Sequence, residues 1–161
     1  MTEETKELAK RPISTDDIPD LNTIELLFFA YRDFISDPDR MLQNLGFGRA
    51  HHRTLYFVSR SPGMTVAELL VILKITKQSL ARVLRQLIDS DYIIQSEGEN
   101  DRRKRLLFAT EKGRALILAL SKPQSERINR AMSRLDENGR ETVTEFLNAM
   151  IEPKKIRHRR S

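Results

Sequence analysis

The chain has 161 residues, 39% of them hydrophobic, a formal net charge of +5 and no cysteine. That apolar content suits one compact domain, or one domain with helical extensions, and the missing thiols exclude disulfide, thiolate-zinc and cysteine redox chemistry within it. The tail, residues 153–161 (PKKIRHRRS), holds five Lys/Arg and no acid, so residues 1–152 balance near zero and a polyanionic partner has to be argued from local clusters.

No apolar run is long enough for a membrane span, and the start, MTEETKELAKRP, lacks the apolar segment of a secretory signal. A cytoplasmic protein is expected. Residues 1–20 are polar and carry Pro12 and Pro19. They read as a flexible N-terminal arm, or as an extended segment packed on a partner subunit. Asp20 or Asn22 is placed to cap the helix that follows. In residues 21–35, Leu21, Ile24, Leu27, Phe28, Tyr31 and Phe34 or Ile35 recur at three- and four-residue spacing, one broad apolar helix face. Asp37-Pro38-Asp39 predicts a kink or interruption, with a short helical piece over 40–45 ending near Gly46 and Gly48. The next stretch, RAHHRTLYFVSRSPG, turns Leu55, Phe57 and Val58 to a core and is stopped by Ser61-Pro62-Gly63. Residues 21–60 thus read as N-terminal helices for dimerisation and support.

Residues 61–113 carry the pattern around which the chain is organised: two short helices, a strand, a charged turn and a second strand. This is the order of a winged helix-turn-helix, which places one helix in a DNA major groove and a loop beside it. A short extended pairing at Met64 against one wing strand is open. Thr65 and Glu68 fit a capping box, and the helix they start, VAELLVIL, should be short and mostly buried. Lys74-Ile75 makes the turn without glycine, and Thr76 is a second cap. Residues 77–90 form the candidate recognition helix, with Leu80, Val83, Leu84 and Leu87 inward and Lys77, Gln78, Ser79, Arg82 and Arg85 outward. Gln78 suits paired contact with adenine and Arg82 with guanine. Ser79 suits a base or a phosphate; Lys77 and Arg85 look more like phosphate contacts. Taken singly, each also fits a solvated helix face.

Tyr92-Ile93-Ile94 begins a strand and Leu106-Leu107-Phe108 ends one, with QSEGENDRRKR between. Gly98 and Asn100 suit the turn. Asp101 can brace Arg103 by a charge-assisted hydrogen bond, and Arg102 or Arg103 can then enter a minor groove. Lys104 and Arg105 reach the backbone or lie along the strand. The plainer alternative is a solvated hairpin with surface salt bridges.

A long helical pattern starts at Glu111 and is expected to kink at Pro123. Leu116, Leu120, Ile128, Ala131 or Met132, and Leu135 mark its face. Asn138-Gly139 is a break before a last helix bearing Val143, Phe146, Leu147, Met150 and Ile151. Residues 114–151 therefore read as C-terminal dimerisation helices, because so small a chain has more apolar helix face than one core can cover; an intramolecular bundle is the alternative. Residues 152–161 are a basic tail, open to phosphate contact or to being a solvated end. The fold class is mainly α with a small β-wing.

Catalysis is a poor reading. The histidines are His51, His52 and His158. The first two are adjacent, so they face different sides of a helix, and no metal-ligand spacing, phosphate loop or serine–histidine constellation occurs. No cofactor and no metal is expected.

The same stretch resembles the MarR family of bacterial transcription regulators. Asp101-x-Arg103 in the wing, Thr110-x-x-Gly113 opening the next helix, Ser79-Leu80-Ala81-Arg82-Val83-Leu84-x-x-Leu87 and Tyr92-Ile93 carry the likeness, which covers residues 21–151. GRAHHRTLYFV and LKITKQSLARVL look like an alphaproteobacterial subgroup. The resemblance implies a triangular homodimer with interlocked terminal helices, reading a pseudopalindrome of double-stranded DNA, with Arg103 as wing arginine and Asp101 as its brace. Two residues depart from the pattern: Ala109 replaces a common leucine, and Asp91 replaces a common glycine before the wing strand. The resemblance also implies a small aromatic or anionic effector. Its cleft would be lined by Phe28, Tyr31, Arg32, His51, His52, Thr54, Leu55 and Tyr56, with Arg32 or a protonated histidine meeting a carboxylate; the same aromatics also fit ordinary core. The alternative function is a winged helix acting through protein contacts or non-specific DNA binding.

Overall fold

The computed structural model describes residues 2–98 and 103–152. In chain order the elements are α1 (Glu3–Lys10), α2 (Leu21–Gln43), α3 (Arg49–Arg60), β1 (Met64–Thr65), α4 (Val66–Leu73), α5 (Lys77–Asp89), β2 (Ile93–Glu97), β3 (Arg105–Ala109), α6 (Glu111–Met132) and α7 (Gly139–Met150). The strands form one antiparallel sheet in the order β1-β3-β2. The pairing left open at Met64 is present, with Met64 opposite Leu107. The architecture is a winged helix-turn-helix carried between long helices.

One core holds the winged unit together. Leu42, Leu55, Val58, Leu69, Leu80, Leu87, Ile93, Leu107 and Leu120 are almost wholly buried in it. They come from the end of α2, from α3, α4, α5 and both wing strands, and from the first half of α6. Each such side chain contributes roughly 1.5–3 kcal/mol by leaving water. The terminal helices contrast with this. Phe28 is 72% exposed, and Ile24, Tyr31, Leu118, Phe146, Leu147 and Met150 are also exposed. Among the described residues nothing covers their apolar faces.

Several expectations are corrected. Of the kink or interruption expected at Pro38, the interruption does not occur: α2 is one helix through it. Pro38 has no N–H to give the Phe34 carbonyl one turn back. The Gln124 side-chain amide of α6 donates to that carbonyl instead, at 3.4 Å. Beside it Asp37 pairs with Arg40 at 3.1 Å and with Arg127 at 3.6 Å. The helix α6 holds Pro123 inside it as expected, but it ends before Leu135, which is exposed in the following turn. Asp20 occupies the N-cap position of α2 but makes no side-chain cap bond. The N-terminal arm is not extended throughout: it holds α1, whose residues are all exposed. Finally, α4 is buried on one side only: Leu69 and Leu73 are inside, whereas Val71 is 69% exposed. An eight-residue helix against one core can turn only one face inward. No helix among the described residues is long and apolar enough to cross a membrane.

Candidate nucleic-acid interface

The helix-turn-helix is built from local caps. The Glu68 amide donates to Thr65 Oγ1 at 3.3 Å, while the Glu68 carboxylate accepts from the Thr65 amide at 2.7 Å and its hydroxyl at 2.9 Å. The Thr65 backbone bond, then the hydroxyl bond, hold the Glu68 carboxyl below its ordinary range. At the other end of α4, Lys74 takes a left-handed conformation (φ 51°), which turns the chain without glycine. The Ser79 amide donates to Thr76 Oγ1 at 3.1 Å, and the Thr76 hydroxyl donates to Ser79 Oγ at 2.9 Å. That second cap starts α5.

On α5, Leu80, Val83, Leu84 and Leu87 are buried, and Lys77, Gln78, Arg82 and Arg85 are exposed. Ser79 is half-buried and partly committed to its cap. Gln78, Ser79, Ala81, Arg82 and Arg85 line one open groove of about 480 Å³. The sequence-predicted reading face is therefore continuous, polar and cationic.

The wing pairs β2 with β3 from Ile93 opposite Ala109 to Glu97 opposite Arg105. The Gly98 amide donates to the Lys104 carbonyl at 3.0 Å near its tip. Arg103 and Lys104 are exposed there. Arg105 lies along the strand, its guanidinium 3.1 Å from the Glu97 carboxylate. Asp101 and Arg102, and with them the expected brace of Arg103, lie outside the described residues, as does the basic tail over 153–161.

Wing, α5 and α6 meet at a small junction. Asp91, standing where glycine was expected, takes the glycine-like conformation itself, with φ 62°. Its carbonyl accepts from the Thr110 hydroxyl at 2.7 Å, and Thr110 Oγ1 accepts from the Gly113 amide at 2.9 Å. The Thr110 amide donates to the Tyr92 carbonyl at 3.1 Å. A Cβ on Gly113 would fall on that Tyr92 carbonyl oxygen. Thr110-x-x-Gly113 is thus one threonine bonding both ways and one glycine leaving room for a backbone. Ala109 is half-buried against the core. Sequence reasoning missed Lys112, which donates to the Ser90 carbonyl at 2.8 Å and lies 4.4 Å from the Tyr92 ring centre. It puts a cation at the C-terminal end of α5, where the helix dipole is negative. The only signal in the sequence was a lysine in the first turn of the next helix.

The eight residues expected to line one effector cleft have different surroundings. Thr54 and Leu55 are fully buried, and Leu55 belongs to the core. Phe28, Tyr31 and Arg32 are exposed. Arg32 bonds Asp33 at 2.8 Å and lies 4.9 Å from the Phe29 ring centre. His52 is held below its ordinary pKa by burial, against an opposing pull from Asp39, so its neutral form is favoured. That weakens the idea of a histidinium meeting a carboxylate. His51 is engaged by Gly48 and Gln86. Tyr56 lines another cleft, of about 200 Å³, with Ser59, Arg60, Arg114, Ile117, Leu118 and Ser121 between α3 and α6. The Ser59 hydroxyl is buried with no hydrogen-bond partner among the described residues. Consecutive residues on a helix point about 100° apart, so 51–56 could not all face one space. No cluster of potential metal ligands occurs among the described residues.

Residues 45–104 match the model of the MarR family. Over 135 residues, 84% of this chain and 81% of the relative, the sequence is 44% identical to the HTH-type transcriptional regulator PetP of Rhodobacter capsulatus. Among solved structures, Streptococcus pneumoniae FabT in complex with DNA superposes with a TM-score of 0.69 at 18% identity, covering 80% of this chain and 92% of that one. A MarR protein from Peptoclostridium difficile gives 0.70 at 19% identity, covering 88% and 91%. These two likenesses establish the fold, and the sequence relative establishes the lineage. The chain belongs to the MarR family of helix-turn-helix transcriptional regulators.

Proposed function

We propose that the protein is a sequence-specific DNA-binding regulator, acting in the cytoplasm as a homodimer on a pseudopalindromic operator. The observation that carries this reading is the exposed face of α5, with Gln78 and Arg82 standing on a helix anchored by a threonine cap. A glutamine can pair with adenine and an arginine with guanine through two bonds each. Lys77 and Arg85 flank them as phosphate contacts, with Ser79 at the helix start. Arg103, exposed near the wing tip, is the minor-groove candidate, backed by Lys104, with Arg102 the alternative that the sequence offers. The DNA complex of the structural neighbour FabT supports the same use of the fold.

Dimerisation is supported by the uncovered apolar faces of α2, α6 and α7, which bear Phe28, Leu118, Phe146 and Leu147. A small organic anion is proposed as effector. The cleft between α3 and α6 supports it, with apolar side chains, two arginines and the Ser59 hydroxyl, which has no hydrogen-bond partner among the described residues. Such a ligand shifts DNA affinity only if it binds one spacing of the recognition helices better than the other.

The test is selection of bound fragments from genomic DNA, followed by titration of the recovered duplexes at fixed salt. The expected result is a recurring two-fold-related sequence. Equal affinity for every duplex, or binding to none, rejects the proposal in favour of non-specific or protein contacts.

A further inference from the structure

Apolar side chains seat α5 in the core, but apolar attraction has no preferred direction. A hydrogen bond on the flank of the helix adds one. His51 supplies it from α3. The Gly48 amide donates to His51 Nδ1 at 3.1 Å. Nδ1 is therefore an acceptor, and the ring proton sits on Nε2. Nε2 donates to Gln86 Oε1 at 2.7 Å. Phe47 stacks on the imidazole, with centroids 4.7 Å apart and planes 13° from parallel. Both ring nitrogens and one ring face are thus committed, and the ring has one orientation that satisfies them all.

Gln86 is not an arbitrary point on α5. Gln78, Arg82 and Gln86 follow at four-residue steps. Each step turns about 40° round the axis, so Gln86 sits about 80° from Gln78 on the same rigid rod. Rotating α5 at Gln86 rotates Gln78 and Arg82 by the same angle.

We propose that His51 is a positioning residue for DNA reading: by holding Gln86 from the first turn of α3, it sets the rotation of α5 and so the direction in which Gln78 and Arg82 meet the bases. The inference rests on the proposed DNA-reading role of α5. It gives His51 a task away from any ligand, and it makes Gln86 the member of that exposed row that is tied to α3.

Two substitutions separate the two bonds of the ring. His51→Asn can place an amide oxygen near the Nδ1 position, keeping the Gly48 bond, but is too short for Gln86. His51→Gln reaches toward Gln86 and gives up the Gly48 bond. Gln86→Ala removes the other partner. The full-length proteins are titrated against a duplex that wild type selects from a random pool, and against an unrelated duplex, at one salt concentration. Thermal unfolding is recorded in parallel. Losing one net hydrogen bond predicts about three- to tenfold weaker binding to the selected duplex for His51→Asn and for Gln86→Ala. Binding to the unrelated duplex should be unchanged, and the double variant His51→Asn/Gln86→Ala no weaker than either single one. His51→Gln should retain more affinity than His51→Asn. Wild-type binding by both single variants, additive losses in the double variant, or equal losses on both duplexes would overturn the proposal. If wild type itself selects no duplex, the DNA-reading role fails, not the His51 inference alone.

Discussion

Replacing Gly113 with alanine sets two effects of opposite sign against each other. In a helix interior, alanine is about 0.8–1 kcal/mol better than glycine. At the third position of α6 the new Cβ falls on the Tyr92 carbonyl oxygen, with the Tyr92 carbonyl carbon at 3.1 Å and Leu55 Cδ1 at 3.2 Å. Tyr92 cannot easily withdraw, because its side chain is buried and its carbonyl holds the Thr110 amide. Overpacking of this kind costs about 1–3 kcal/mol. Losing the Thr110–Tyr92 bond adds about 0.5–1.5 kcal/mol. The clash wins, and a net destabilisation of about 2 kcal/mol follows. For a chain of this size that is a fall in Tm of about 4–8 °C. Circular-dichroism melts of wild type and Gly113→Ala at one protein concentration read it directly; concentration must match because the proposed dimer would melt concentration-dependently. A variant that melts at or above the wild-type temperature would refute the reasoning, for it would mean that helix propensity outweighs the contact.

Arg82→Ala should change the ranking of operator variants by roughly 1–3 kcal/mol at one base pair, whereas Lys77→Ala should weaken all duplexes alike; titration of a panel of single-base variants separates them, and matching profiles for the two would sink the division. Phe28→Glu should leave a folded protein of monomer mass in analytical ultracentrifugation, since it puts a charge on a face 72% exposed in one chain; an unchanged mass would remove that face from the interface. Glu68 has a folded-state pKa below its ordinary 4.5, so its contribution to stability is complete above that value and is lost as pH falls through the folded pKa. Glu68→Gln should therefore flatten the loss of Tm with acid below about pH 4.5, and parallel curves for the two proteins would show that the carboxylate carries none of it.

The features that could be read from the sequence are the ones decided by near neighbours. Thr65 with Glu68, and Thr76 with Ser79, are three-residue relations, and each closes as the spacing predicts. The inward and outward faces of α5 follow from one periodicity. What escaped the sequence depends on distant partners. Pro38 predicts a kink or a break on local grounds, and the amide that compensates it belongs to Gln124 in another helix. His51 reads as a cleft residue until Gln86, thirty-five positions on, is placed beside it. Arg105 is one basic residue in a run until the hairpin register sets it opposite Glu97. The residues expected to line an effector cleft part for a related reason: Thr54 is buried in the core and Tyr56 is exposed, two positions apart on one helix.

The carbonyl released by Pro38 gives the α2–α6 crossing a tooth that smooth apolar faces would lack. Two greasy rods can slip along one another by small steps at little cost. Here a slip of even a few ångströms would pull Gln124 off Phe34 and leave a half-buried oxygen with neither its own helix nor its neighbour to satisfy it. The two rods are therefore keyed to one register at this crossing, which the apolar side chains around it would leave loose.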